Sequence, residues 1–195
     1  MYEIDWPFGF VKTSNVCYQP AHRPNGASYH SQAHRAGIDA IHRPSGRFFC
    51  YFAYFRPMNE QQILDHINSK LPGSLGESIG MQFTVAREGY LEATMPVDAR
   101  TIQPYGILHG GSSVALAETL GSVGSNMLAG EGMVAVGLEI NANHLRAVRS
   151  GLVTGKASIL HKGRSTHVWD IKIFDEREHL VCVCRFTAAI VNNRA

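Results

Sequence analysis

The stretch "GGSSVALAETLGSVGSNMLAG", residues 110–130, decides the fold. Leu116, Leu120, Val123 and Met127 recur at i, i+4, i+7 and i+11, the spacing of one helix face. Gly130 and Gly132 follow as stop signals. The pattern predicts one long helix. Its other residues are unusually small: Ala115, Ala117, Gly121, Ser122, Gly124 and Ser125. Interior glycine costs a helix about 1 kcal/mol relative to alanine, so a close neighbour must compensate. A sheet curling around the helix, with its backbone against the small residues, would supply one.

The flanking segments have the period of strands. "MQFTVAREGYLEATMPV" (81–97) holds two extended pieces joined at the turn signal Glu88-Gly89. After the helix come "MVAVGLEINANHL" (133–145), "GLVTGKASILHKG" (151–163), "THVWDIKIFDE" (166–176) and "HLVCVCRFTAAIV" (179–191), β-branched-rich and bounded by turn residues. Trp169, Ile171 and Ile173 alternate with Val168, Asp170 and Lys172, the mark of a sheet with two unlike faces. Strand, strand, long helix and four strands make an α+β domain: an antiparallel sheet with its helices on one side.

Upstream, "MNEQQILDHINSKLPGSLGE" (58–77) reads as a natural start. Asn59 can cap a short helix that buries Ile63, Leu64 and Ile67 and stops before Pro72-Gly73. Residues 1–57 differ in kind. "QPAHRPNGASYHSQAHRAGIDAIHRPSGR" (19–47) has no sustained period, and its composition resists a packed core. The expectation is a domain over 58–195 behind an irregular extension, 1–57, that is a misassigned or dispensable start. His22, His30, His34 and His42 sit among Pro and Gly, so neither a helical metal site nor any other metal site is expected.

Composition narrows the function classes. Residues 1–57 hold six Lys/Arg against three Asp/Glu, and residues 58–195 twelve against thirteen. The basic excess therefore lies outside the main body, and no nucleic-acid partner is expected. No run approaches the ~18 apolar residues of a membrane span, and the start lacks the basic-then-apolar pattern of a secretory signal. Cys17, Cys50, Cys182 and Cys184 show no zinc-type spacing; Cys182 and Cys184, two apart on a strand, rarely bridge. A reduced, cytoplasmic protein that binds no membrane and needs no cofactor is the expectation.

The chemistry concentrates around the helix start. His109-Gly110-Gly111 stands where loop becomes helix, and free N–H groups at the positive helix end suit an anion or a developing oxyanion. Glycine used only for a tight turn would look the same. Glu118 lies among alanines and leucines, where a carboxylate is rarely buried without purpose; simple solvent exposure is the competing reading. Ser122, one turn on, shares its face. From Gly110 to Glu118 the helix rises roughly 12 Å, at 1.5 Å per residue. One carbonyl carbon cannot lie ~3 Å from both in the same chain. If both serve one reaction, Glu118 comes from a second subunit, and a two-fold dimer makes two such sites.

"LEATMPVDARTIQPYGILHGGSSVALAETLGSVGS" (91–125) and "AVGLEINANHLRAVRSG" (135–151) together resemble the hotdog-fold thioesterases of the phenylacetate-pathway type. Within that group the chain is most similar to the 1,4-dihydroxy-2-naphthoyl-CoA hydrolases of menaquinone synthesis and their enterobactin-linked paralogue. The resemblance runs from about Met58 to Val191. It implies a single hotdog domain, a sheet wrapped around the central helix, assembled as a homo-oligomer, a dimer of dimers. It implies an acyl-CoA substrate, with Glu118 as general base on water or as nucleophile. By the same resemblance Gly110 polarises the thioester carbonyl, His109 and Gln103 position thioester or water, and Ser122 assists the carboxylate. Gly137, His144, Leu145, Arg146 and Ala147, with His161, Lys162, Gly163, Arg164, Ser165 and Thr166, fall on CoA-binding segments. Arg146, Lys162 and Arg164 suit phosphates. "HKGRST" (161–166) departs from its relatives in residue order, which leaves Arg149 a competing phosphate contact.

Two alternatives remain at this stage. A hotdog dehydratase acting on acyl-carrier-protein substrates would pair His109 with Glu118 as its acid–base couple. A non-catalytic acyl-CoA binding module would have no use for Glu118 or Gln103. Nothing resembles GxSxG, which disfavours an α/β-hydrolase.

Overall fold

The computed structural model describes residues 58–193; the expected extension at 1–57 lies outside them. Two helices lead in: α1 (Glu60–Ser69) and the short α2 (Leu75–Ser78). The strands β1 (Gln82–Arg87) and β2 (Tyr90–Pro96), the long helix α3 (Gly110–Leu128), and β3 (Met133–His144), β4 (Leu152–Lys162), β5 (Thr166–Asp175) and β6 (Leu180–Asn192) follow. Apart from α2, this is the predicted order.

Local chemistry explains the boundaries. Asn59 caps α1 through a full capping box: its Oδ1 accepts from Gln62 N–H at 2.9 Å, while Gln62 Oε1 accepts from Asn59 N–H at 3.0 Å. Gly89 takes φ +73° in the β1–β2 turn, where a side chain would strain the backbone. The end of α3 differs from expectation. Ala129 turns extended at φ −65°, ψ 142°, before either glycine is reached, and only Gly132 is left-handed. The short α2 was not foreseen, because four residues show no period.

The sheet runs β1-β2-β4-β5-β6-β3, every pairing antiparallel. Strand β3 therefore forms an edge, although it lies mid-chain. Helix α3 contacts β2, β3, β4, β5 and β6, so the sheet does wrap around it. Trp169, Phe186, Leu91, Met95, Leu116 and Leu120 are fully buried between the two, worth about 1.5–3 kcal/mol for each large side chain.

The small residues on α3 are explained, but not by backbone approach. A Cβ at Gly124 would come within 2.5 Å of Trp169 Cη2, and one at Gly121 would collide with the Phe186 ring. Aromatic rings fill the space the glycines leave. Trp169 Nε1 also donates to the buried Ser125 Oγ at 2.8 Å, which answers its one polar atom.

Candidate active site

The loop before α3 is fixed by backbone bonds. Gln103 N–H donates to Ile107 O (2.9 Å), Leu108 N–H to Val148 O (2.7 Å) and His109 N–H to Thr101 O (2.8 Å). His109 is the N-cap: its Nδ1 accepts from Gly111 N–H at 2.8 Å. An accepting Nδ1 leaves the neutral ring's proton on Nε2. The Gly110 N–H is one of the helix's orphan donors. None of the hydrogen bonds among the described residues uses it, so it can meet an incoming oxygen.

Beside this helix start lies a cavity of about 300 Å³. It brings together Gln103, Gly110, His144, Leu145, Arg146 and Ala147, all foreseen in the sequence, and adds Ile107, Leu108, Ser113 and Val181. Ser113 was within reach of sequence reasoning, one turn after Gly110; Val181 arrives from a distant strand and carries no local signal. The volume is at the low end for ligand pockets. It suits a small reacting group rather than the whole of a large ligand. The His144 ring sits on Gly110: a Cβ there would lie 2.8 Å from His144 Nε2. On its other side His144 Nδ1 is 3.4 Å from Cys182 Sγ.

The remaining foreseen residues lie elsewhere. Glu118, two turns into α3, is exposed: the described residues do not bury it among the alanines and leucines, and the competing reading of solvent exposure holds for this chain. It reaches the edge strand at Gly137, where a Cβ would stand 3.4 Å from Glu118 Oε1. Ser122, half-buried, follows on that face. Next to Gly137 the β3–β6 register shifts, and Leu138 projects with 61% exposure.

The segment His161–Thr166 must be separated from His144–Ala147. Thr166 is level with Ala189, which pairs Val136, whereas His144 is level with Cys182, which pairs Ile173. Along β5 those levels stand roughly 23 Å apart at ~3.3 Å per residue. The grouping of both segments into one site therefore fails within one chain. The β4–β5 turn closes one end of the sheet, and the β3–β4 connection closes the other. Lys162 is also engaged, its Nζ 2.9 Å from Glu88 Oε1, while Arg164 and Ser165 are exposed. Nearby, His167 is buried, and its Nδ1 has no hydrogen-bond partner. Burial first, then Lys162 and His161, pull its pKa below the ordinary 6.5.

The foreseen residues thus fall into two separate groups. At the start of α3 are a helix-end donor, two histidines, Gln103 and Arg146; at mid-helix, level with the β4–β5 turn, are a carboxylate and a serine, with the basic hairpin at that end of the sheet. Among the described residues no group of three or more His, Cys, Asp or Glu is arranged to hold a metal ion. No described helix is long and apolar enough to cross a membrane.

Known proteins resemble this chain in sequence and fold. The profile described as "Thioesterase superfamily" matches residues 105–182. The proofreading thioesterase EntH of Cronobacter turicensis is 45% identical over 128 residues, 66% of this chain and 93% of that protein. A crystal structure of a Haemophilus influenzae thioesterase superposes with a TM-score of 0.65 at 47% identity, covering 68% of this chain and 92% of its own. A glutamine-to-alanine variant of a Pseudomonas aeruginosa thioesterase gives 0.65 at 45% identity, covering 66% and 94%.

Proposed function

This chain belongs to the thioesterase superfamily and is a hydrolase acting on thioesters, and from that premise we propose that it cleaves an aromatic acyl-CoA, 1,4-dihydroxy-2-naphthoyl-CoA or a near relative, at a site completed by a second copy of the chain. The observation that carries this reading is the division of the foreseen residues between the start of α3, beside His144, and the middle of α3, beside Gly137. Neither half suffices: a thioester carbonyl held at the Gly110 N–H lies beyond Glu118 of the same chain.

The edge strand supports the pairing. On one side β3 bonds β6; on the other it has no partner among the described residues, and Val136 and Leu138 are 50% and 61% exposed. Unprotected edges of this kind pair with other strands. An antiparallel pairing of β3 with its two-fold between Ile140 and Asn141 opposes Gly137 of one chain to His144 of the other. Glu118 then faces its partner's cavity, and the hairpin at 161–166 faces its partner's His144–Ala147. Dimers pairing again would give the dimer of dimers.

The chemistry follows. Glu118 takes a proton from water, and the oxygen attacks the thioester carbonyl. The Gly110 N–H, in the field of the helix end, stabilises the oxyanion. Collapse breaks the C–S bond, and CoA leaves as thiolate, then thiol, with the free acid. Arg146 of one chain, with Lys162 and Arg164 of the other, suits the CoA phosphates.

A second reading, a proofreading thioesterase, is favoured by the 45% identity to EntH. The test is a panel of naphthoyl, benzoyl, phenylacetyl and medium-chain acyl-CoA, with carrier-protein thioesters alongside, read by thiol release for wild type and Glu118→Ala. Dominant kcat/KM for naphthoyl-CoA, lost in the variant, supports the first reading. Similar kcat/KM across many thioesters supports proofreading. Turnover unchanged by Glu118→Ala refutes both sites as drawn.

A further inference from the structure

At the closed end of β3, two thiols that the proposed hydrolysis does not use stand in line behind the cavity's His144. His144 and Cys182 are register partners across β3 and β6, and Cys184 is next on the same face. Cys184 Sγ is 3.6 Å from Cys182 Sγ, which is 3.4 Å from His144 Nδ1. Both thiols are buried and free. The other face of the imidazole is in the cavity, its Nε2 over Gly110.

The direction of the hydrogen bonds can be worked out. Among the described residues, Cys184 has no other acceptor than Cys182 Sγ. A buried S–H with one acceptor uses it, so Cys184 donates to Cys182. Cys182 has a backbone alternative only at 4.0 Å, Val183 O, and His144 Nδ1 is nearer. The hydrogen bond from Cys184 lowers the Cys182 pKa and raises that of Cys184, which agrees with this direction. An Nδ1 that accepts from a thiol leaves the ring proton on Nε2, and full transfer of the thiol proton to Nδ1 leaves it there too.

We propose that Cys182 is a positioning residue: backed by Cys184, it fixes the His144 ring so that an Nε2–H donor points into the cavity beside Gly110 and holds an oxygen of the bound thioester substrate. This rests on the acyl-CoA reading for the ligand, though the ring state does not. A neighbouring chain of apolar residues would leave the ring free to rotate and to exchange tautomers. The dithiol allows one.

Ring ¹⁵N spectra of the full-length protein test this, with His144 assigned by its loss in His144→Gln. Wild type should carry its proton on Nε2. Cys182→Ala should give mixed tautomers, and Cys182→Ser, which keeps a donor, should restore the wild-type pattern. With the best acyl-CoA, Cys182→Ala should raise KM roughly fivefold to tenfold, the worth of one neutral hydrogen bond, with kcat little changed. A wild-type proton on Nδ1, or a spectrum unmoved by Cys182→Ala, overturns the proposal; the wild-type spectrum decides even if the alanine variant does not fold. Absence of turnover with every acyl-CoA would sink the substrate reading alone, since the spectra stand apart from it.

Discussion

A site assembled from two chains makes a quantitative prediction for mixtures of inactive variants. Glu118→Ala removes a general base, and positioned proton transfer is worth about 10²–10⁴-fold. Gln103→Ala strips a polar side chain from the cavity beside the Gly110 N–H; loss of a comparable group costs about 10²–10³-fold. Each variant alone should therefore retain about 1% of wild-type turnover or less. In a mixed dimer, one site receives both substitutions and the other receives neither. Equal mixing with free exchange makes about half the dimers mixed, each with one intact site of two, so about a quarter of wild-type turnover should return. The background is too small to imitate that. The assay is co-expression under two affinity tags, tandem purification where enrichment is wanted, and thiol release from acyl-CoA. If Glu118 served the cavity of its own chain, mixed dimers would hold no intact site. A mixture no more active than the mean of its two components refutes the composite site.

Ser125→Ala leaves the buried Trp169 Nε1 without its 2.8 Å acceptor, and urea unfolding should show a loss of about 1–3 kcal/mol. Leu138→Lys puts a charge at the middle of the exposed β3 edge; sedimentation should show a smaller assembly, with turnover falling in step. For His167, the folded pKa is below 6.5, so the unfolded chain binds its proton first. The stability it contributes is fully present above about pH 6.5 and is lost as pH falls through the folded value. Urea midpoints should decline less steeply below that pH in His167→Gln than in wild type; parallel curves would remove His167 from the account.

Much of the fold was legible because its signals are local. The 3.6-residue period of Leu116, Leu120 and Met127 and the alternation of Trp169, Ile171 and Ile173 each report one face of one element. The glycines of α3 announced a close neighbour but could not say which, since backbone and aromatic ring exclude a Cβ equally. Only the pairing of β5 with β6 sets Trp169 and Phe186 against Gly124 and Gly121.

The site was legible to the extent that its chemistry is a matter of distance. Helical rise alone separates Gly110 from Glu118, so the sequence already carries the conditional argument that, if both serve one reaction, Glu118 comes from a second chain. The same reasoning was open for the two substrate-binding segments, yet it required strand register. His144 and Thr166 look equivalent in sequence, and only the ladders through Ala189 and Cys182 put them at opposite ends of the sheet. That separation strengthens the distance argument, because it is independent of the helix. Carboxylate and basic hairpin fall on one side, the Gly110 N–H and His144 on the other, and the proposed antiparallel pairing of β3 would repair both divisions at once. A monomeric site would have to repair each by a separate movement of the packed core, which close-packed interiors resist.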